Sequence, residues 1–190
     1  MRARGRLFVI SAPSGTGKTT LAGRLIAQNS NLVRSISITT RPRRAGEKEG
    51  DDYFFVSSKE FLRKEKRGEF LEWAKVFGHC YGTPRSFLEK QIRRGKDVLA
   101  CIDVQGARQI KQRWPGAILI FILPPSLKTL IARLRKRKTE TSTQILTRIR
   151  KAQWEIVQLK WYDYQVVNDR VETAVQLLQC IIHAEHAIVR

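Results

Sequence analysis

The chain has 190 residues, long enough for one domain with a sizeable core. Its 36 Lys and Arg against 17 Asp and Glu give a formal net charge of +19, which points to anionic partners, while 42% hydrophobic residues exclude a disordered polyelectrolyte. Three cysteines (Cys80, Cys101, Cys180) lack metal-ligand spacing and suit a reducing cytosol without disulfides, and no apolar run is long enough to span a membrane, so a soluble cytoplasmic protein is expected.

Taken in order, residues 7–10 (Leu-Phe-Val-Ile) read as a buried strand, and residues 21–26 carry a helical pattern. Residues 33–40 alternate as a β-rich stretch, a basic glycine-bearing loop starts at 41, and a short strand is expected at 53–56. Ser57 and Glu60 have capping-box spacing, which starts a helix to about 68. Residues 70–77 read as a strand containing Glu72, 81–84 as a turn or short strand, and 85–94 as a charged helix. The strand–helix rhythm then resumes with a strand at 97–103 ending in Asp103, a helix at 105–114 and a nearly all-apolar strand at 117–123. A helix at 126–137, a polar segment at 138–143 and a long helix to about 160 follow, then a last strand at 166–169 and a terminal helix over 171–188. This order predicts a doubly wound parallel α/β sheet with ligands at the C-terminal ends of its strands. The expected single domain has a core of 1–35, 87–137 and 144–190, and a substrate-holding insertion of short strands at about 36–86.

The densest chemistry lies between the first strand and the first helix, in Ser-Ala-Pro-Ser-Gly-Thr-Gly-Lys-Thr-Thr at 11–20. Strand, glycine loop and helix in this order make a phosphate-binding loop. Gly15 and Gly17 let successive N–H groups turn inward, and the helix N-terminus behind them adds more donors. Lys18 supplies a charge for β and γ phosphates, and the Thr19 hydroxyl suits Mg²⁺. Ala12 stands where the strict pattern has its first glycine.

Further segments in fixed order resemble guanylate kinase, a family of nucleoside-monophosphate kinases: Ser-Ile-Thr-Thr-Arg at 37–41, Arg-Ala-Gly-Glu at 44–47, Gly-Asp-Asp-Tyr at 50–53, Phe-Leu-Glu-Trp at 70–73, Tyr-Gly-Thr-Pro at 81–84, Ile-Asp-Val-Gln-Gly at 102–106 and Val-Asn-Asp at 167–169. The resemblance covers about 7–187 and accommodates Ala12. It implies a P-loop NTPase-type sheet with a small GMP-binding insertion and a helical lid at about 138–143. The implied reaction moves the γ-phosphoryl of ATP to GMP, with Mg²⁺ and without a tightly bound organic cofactor. Ala12, Pro13, Ser14, Gly15, Thr16, Gly17, Lys18, Thr19, Thr20 and Asn168 are then expected on ATP, Asn168 near the adenine. Ser37, Glu72 and Thr83 are expected to read guanine, Arg41, Arg44, Tyr53 and Tyr81 to hold the GMP phosphate, and Asp103 to complete that site. Lys18, Arg133, Arg137 and Arg148 are expected on the transferring phosphoryl, and Thr19 and, through water, Asp103 on the metal. A carboxylate accepts from both N1–H and the 2-amino group of guanine, while adenine offers no donor at N1, so Glu72 suits the discrimination.

Two positions depart from the family pattern: Lys138 replaces a glycine at the lid hinge, and Cys101 replaces an acid on the strand leading to Asp103. Cys101 and Asp103 are expected on one strand face. Three other readings stand beside the kinase. A module binding a phosphorylated peptide is disfavoured by the intact Gly17, Lys18 and Thr19. A nucleic-acid binder lacks an aromatic-interleaved or helix–turn–helix motif, leaving only weak, salt-sensitive polyanion binding. A small ribose phosphate acceptor leaves Ser37 and Glu72 without a base to read.

Overall fold

The computed structural model describes residues 4–135 and 142–189. Nine strands and seven α-helices are described: β1 (Leu7–Ser11), α1 (Lys18–Ala27), β2 (Leu32–Arg34), β3 (Ile38–Thr39), β4 (Phe54–Phe55), α2 (Ser58–Lys66), β5 (Phe70–Val76), β6 (His79–Pro84), α3 (Arg85–Arg93), β7 (Asp97–Cys101), α4 (Val104–Arg113), β8 (Ile118–Leu123), α5 (Leu127–Arg135), α6 (Ser142–Val157), β9 (Tyr164–Val167) and α7 (Val171–Ala187). A 3₁₀ turn, Gln158–Trp161, joins α6 to β9. The five-stranded sheet has the order β2-β7-β1-β8-β9, with β2–β7 and β8–β9 parallel. β1 and β8 are apolar along almost their whole length and buried, as strands covered on both faces must be.

The chain divides into two compact units: residues up to Val9 with Asn31–Ala117, and Ile10–Ser30 with everything from Ile118 onward. The first unit contains a four-stranded sheet, β4-β3-β6-β5, in which β3–β4 is parallel and the other pairs antiparallel. Its core is Ile38, Phe61 and Phe70, with Val56, Trp73 and Cys80 packed around them. α2 contributes Phe61 and starts where the sequence predicts, the Ser57 hydroxyl accepting from the Glu60 N–H at 3.1 Å. In the second unit α5 and α6 meet through Leu130, Leu134, Ala152 and Ile149.

Several boundaries differ from the sequence reading, the last strand among them, which runs over Tyr164–Val167 and stops before Asn168 and Asp169. The alternating stretch 33–40 is two strands in two sheets, because β2 pairs with β7 while β3 pairs with β4 and β6. The strand expected at 97–103 ends at Cys101, since the Asp103 carboxylate accepts from the backbone N–H groups of Gln105 and Gly106 and caps α4. Strand alternation therefore does not relate Cys101 to Asp103. Segment 81–84 belongs to a full strand, β6. Arg137, Lys138 and lid positions 138–141 lie outside the described residues, and the last two residues of the polar segment, 142–143, open α6.

Candidate active site

In the second unit the loop after β1 folds tightly. Gly15 and Gly17 have φ of 92° and 96°, a region where an L side chain is strained. Gly17 is the N-cap of α1 and carries no side chain that could cap the helix start, the kind of end that receives anions in phosphate loops. Lys18 is the first residue of α1, and Thr19 and Thr20 follow it with exposed side chains. Ala12, Pro13 and Thr16 are buried under the loop, and Ser14 is half-buried. A Cβ on Gly15 would stand 3.0 Å from Leu134 Cδ2, so α5 packs directly on the loop. Arg148 donates from Nη1 to Ser14 Oγ at 2.8 Å, and Arg133 donates from both terminal nitrogens to the Asn168 carbonyl at 3.3 Å. Asn168 is buried, with Nδ2 donating to the Thr16 carbonyl at 2.7 Å.

The first unit gathers the residues expected to read a base. The β5–β6 pairing slips between Phe70 and Glu72, leaving Leu71 as an extra residue. This bulge sets Glu72 opposite Thr83, whose hydroxyl donates to Glu72 Oε1 at 2.5 Å. Both side chains are buried, so Glu72 is not a solvated strand residue. α4 fixes the strand from outside. Gln109 donates from Nε2 to the Trp73 carbonyl at 2.7 Å and accepts from its N–H, and Arg113 donates to the Leu71 carbonyl at 2.6 Å. The helix approaches so closely at Gly106 that a Cβ there would stand 2.4 Å from Glu72 Oε2. Ser37 is half-buried, and its carbonyl accepts from the Phe54 N–H at 3.0 Å.

Beside it lies the expected phosphate subsite. Arg41 is buried, with its guanidinium 5.4 Å from the Tyr53 ring centre and 5.8 Å from that of Phe55. It donates to the Pro42 carbonyl at 2.7 Å and to Glu47 Oε1 at 2.6 Å. Burial works to lower the Arg41 pKa, but the bond and charge of Glu47, with Tyr81, outweigh it and the pKa is raised. Glu47 is lowered, first by the Arg41 hydrogen bond and then, against its burial, by the Arg44 N–H that Oε2 accepts at 2.9 Å. The Arg44 side chain itself is exposed. Tyr53 and Tyr81 meet edge to face at 5.8 Å, and burial foremost, then Tyr81, raises the Tyr53 pKa, so its hydroxyl remains a donor.

Sequence reasoning overlooked Glu47, Gly106 and Gln109. Glu47 and Gly106 sit inside motifs already singled out, but the first acts through Arg41 and the Arg44 backbone and the second through Glu72, contacts that one-dimensional spacing does not display.

The arrangement has relatives throughout. The guanylate kinase family model matches residues 4–185. The guanylate kinase of Thermotoga maritima is 46% identical over 97% of this chain and 89% of its own, and that of Clostridium tetani 48% identical over 96% and 87%. The crystal structure of guanylate kinase from Anaplasma phagocytophilum superposes with a TM-score of 0.82 at 38% identity, covering 97% of this chain and 87% of that one. With a phosphate loop, a bulge-set glutamate and this match along its length, the chain belongs to the guanylate kinase family.

Proposed function

We infer that the protein is an ATP:GMP phosphotransferase, moving the γ-phosphoryl of ATP to GMP to give ADP and GDP. The observation that carries the reading is the buried Glu72 carboxylate, bonded to Thr83 and backed by Gly106. A buried carboxylate needs donors, and guanine presents two on one edge where adenine lacks the N1 donor. Ser37 and Thr83 complete the guanine set, and Asp103 belongs to the same GMP site, as the resemblance implies. Arg41 and Arg44, one preset by Glu47 through its side chain and the other through its backbone, take the GMP phosphate with the Tyr53 and Tyr81 hydroxyls.

Phosphoryl transfer asks for positioning and charge neutralisation more than covalent help. The loop N–H groups and Lys18 hold the β and γ phosphates of ATP. The bond of Arg148 to Ser14 in the loop supports a role on the same phosphates, and Arg133 and Arg137 would complete the cationic set as the resemblance implies. The donor set fits Mg²⁺: Thr19 offers an exposed hydroxyl oxygen at the start of α1, and among the described residues no cluster of three His, Cys, Asp or Glu forms a rival cage. Thr19 would hold the ion, which supplies neutralisation of the β and γ oxygens. Among the described residues no helix is long and apolar enough to cross a membrane. We place the protein in the cytoplasm, with ATP and GMP (and dGMP as a further acceptor) as its partners and no specific nucleic acid.

A coupled ADP-release assay across GMP, AMP, CMP and UMP tests the reading. GMP is expected to be the strongly preferred acceptor, and equal rates with AMP would overturn the guanine assignment.

A further inference from the structure

Asn168 sits at the junction of β9 and α7 with its backbone held at both ends. Its N–H donates to the Leu123 carbonyl at 2.8 Å, continuing the β8–β9 pairing, and its carbonyl accepts from Nη1 and Nη2 of Arg133 at 3.3 Å. From that anchored backbone the side chain turns toward the loop. Nδ2 meets the Thr16 carbonyl at 2.7 Å, across 152 positions of sequence, and a Cβ on Gly17 would stand 2.6 Å from the same nitrogen. A carbonyl accepts, so the donor end of the amide faces the loop. Asn168 is 3% exposed, and its Oδ1 has no hydrogen-bond partner among the described residues. A buried amide with one end unpaired carries a cost that an apolar residue of the same volume would not, and the Thr16 bond is what it contributes in return.

We propose that Asn168 is a positioning residue for the phosphate loop: it clamps the Thr16–Gly17 peptide from behind and so aims the loop's N–H groups at the polyphosphate of the nucleotide. The clamp rests on the reading of residues 11–19 as a polyphosphate site. It differs from the adenine contact that the family resemblance implies, because it acts on the part of the nucleotide common to all triphosphates. It also ties the loop to α5, since the same residue receives Arg133 from that helix.

The test is calorimetric binding of ATP and of inorganic tripolyphosphate, each with Mg²⁺, to the wild type, to Asn168→Ala and to the volume-matched Asn168→Leu, with GMP titrated in parallel. One lost buried hydrogen bond that leaves a carbonyl unpaired corresponds to on the order of tenfold in affinity. Both variants are expected to lose about that factor for ATP and the same factor for tripolyphosphate, while GMP binding is unchanged. Loss for ATP with tripolyphosphate unaffected would return Asn168 to recognition of the base, and unchanged affinity for both would remove it from the site. Loss of GMP binding in both variants would assign Asn168 to the stability of the whole fold and overturn the local clamp. A wild type that binds neither ATP nor tripolyphosphate would count against the loop assignment itself.

Discussion

Replacing Gly106 by alanine adds one carbon atom, and the structure says where it lands. Its Cβ would stand 2.4 Å from Glu72 Oε2, 2.9 Å from Glu72 Cδ and 3.3 Å from Ile102 Cδ1. Relieving the first contact to an ordinary separation moves the carboxylate by roughly 1 Å. Glu72 cannot rotate away without giving up the Thr83 bond, because Leu71 and Trp73 on either side are tied to α4 through Arg113 and Gln109. A charge-assisted hydrogen bond is worth about 1.5–3 kcal/mol, so losing the alignment with guanine should raise KM for GMP by about 10- to 100-fold. Alanine is the better helix former by about 1 kcal/mol, which offsets part of the packing cost and should leave the melting temperature within a few degrees. The ADP-release assay with GMP and ATP varied in turn separates the effects: KM for GMP rises, KM for ATP does not. A GMP KM within twofold of wild type, together with a clearly lower melting temperature, would mean that the helix yields instead of Glu72, and the reasoning would fail.

Glu47→Gln should raise KM for GMP about tenfold by releasing Arg41 and the turn at Arg44. The Glu47 pKa is lowered from its ordinary 4.5, so its stabilisation is complete above that value and is lost as pH falls through the lower folded value; the melting-temperature gap between wild type and variant should therefore be open at pH 7 and close in acid. Cys101→Asp, restoring the acid of the family pattern at the half-buried end of β7, should lower the Mg²⁺ concentration for half-maximal rate. An unchanged midpoint with a lower melting temperature would identify Cys101 as sheet packing instead. Binding of RNA or DNA should be weak and vanish by about physiological salt, because counterion release weakens it steeply; sequence-selective binding that survives that salt would contradict a purely solvated basic surface.

The phosphate loop was legible because all its parts are contiguous: apolar strand, two glycines at positive φ, lysine and threonine at the helix start. The helices and the buried strands were legible for the same reason, their signals being local and periodic. What escaped was whatever depends on a partner far along the chain. Alternation over 33–40 shows extended backbone but not that the chain changes sheets, since that is decided by pairing with β7 on one side and β6 on the other. Nor could it show the bulge at Leu71, on which the placement of Glu72 depends. An acid after an apolar run fits the end of a strand and a helix N-cap equally well, and the bonds of Asp103 to the Gln105 and Gly106 N–H groups decide for the cap.

The same contrast explains why the supporting residues were harder to find than the ones they support. Arg41 and Glu72 carry charges whose use can be guessed from their chemistry alone. Glu47, Gly106 and Asn168 act by holding something else in place: a guanidinium, the approach of a helix, a peptide of the loop. Their value is geometric, and geometry at the level of tenths of an ångström enters only with the fold. On the proposed reading each of them bears on one bound species alone, Glu47 on the acceptor phosphate, Gly106 on the acceptor base and Asn168 on the donor phosphates. Their substitutions should therefore shift one KM each, whereas a general loss of packing would lower the active fraction and leave every KM in place.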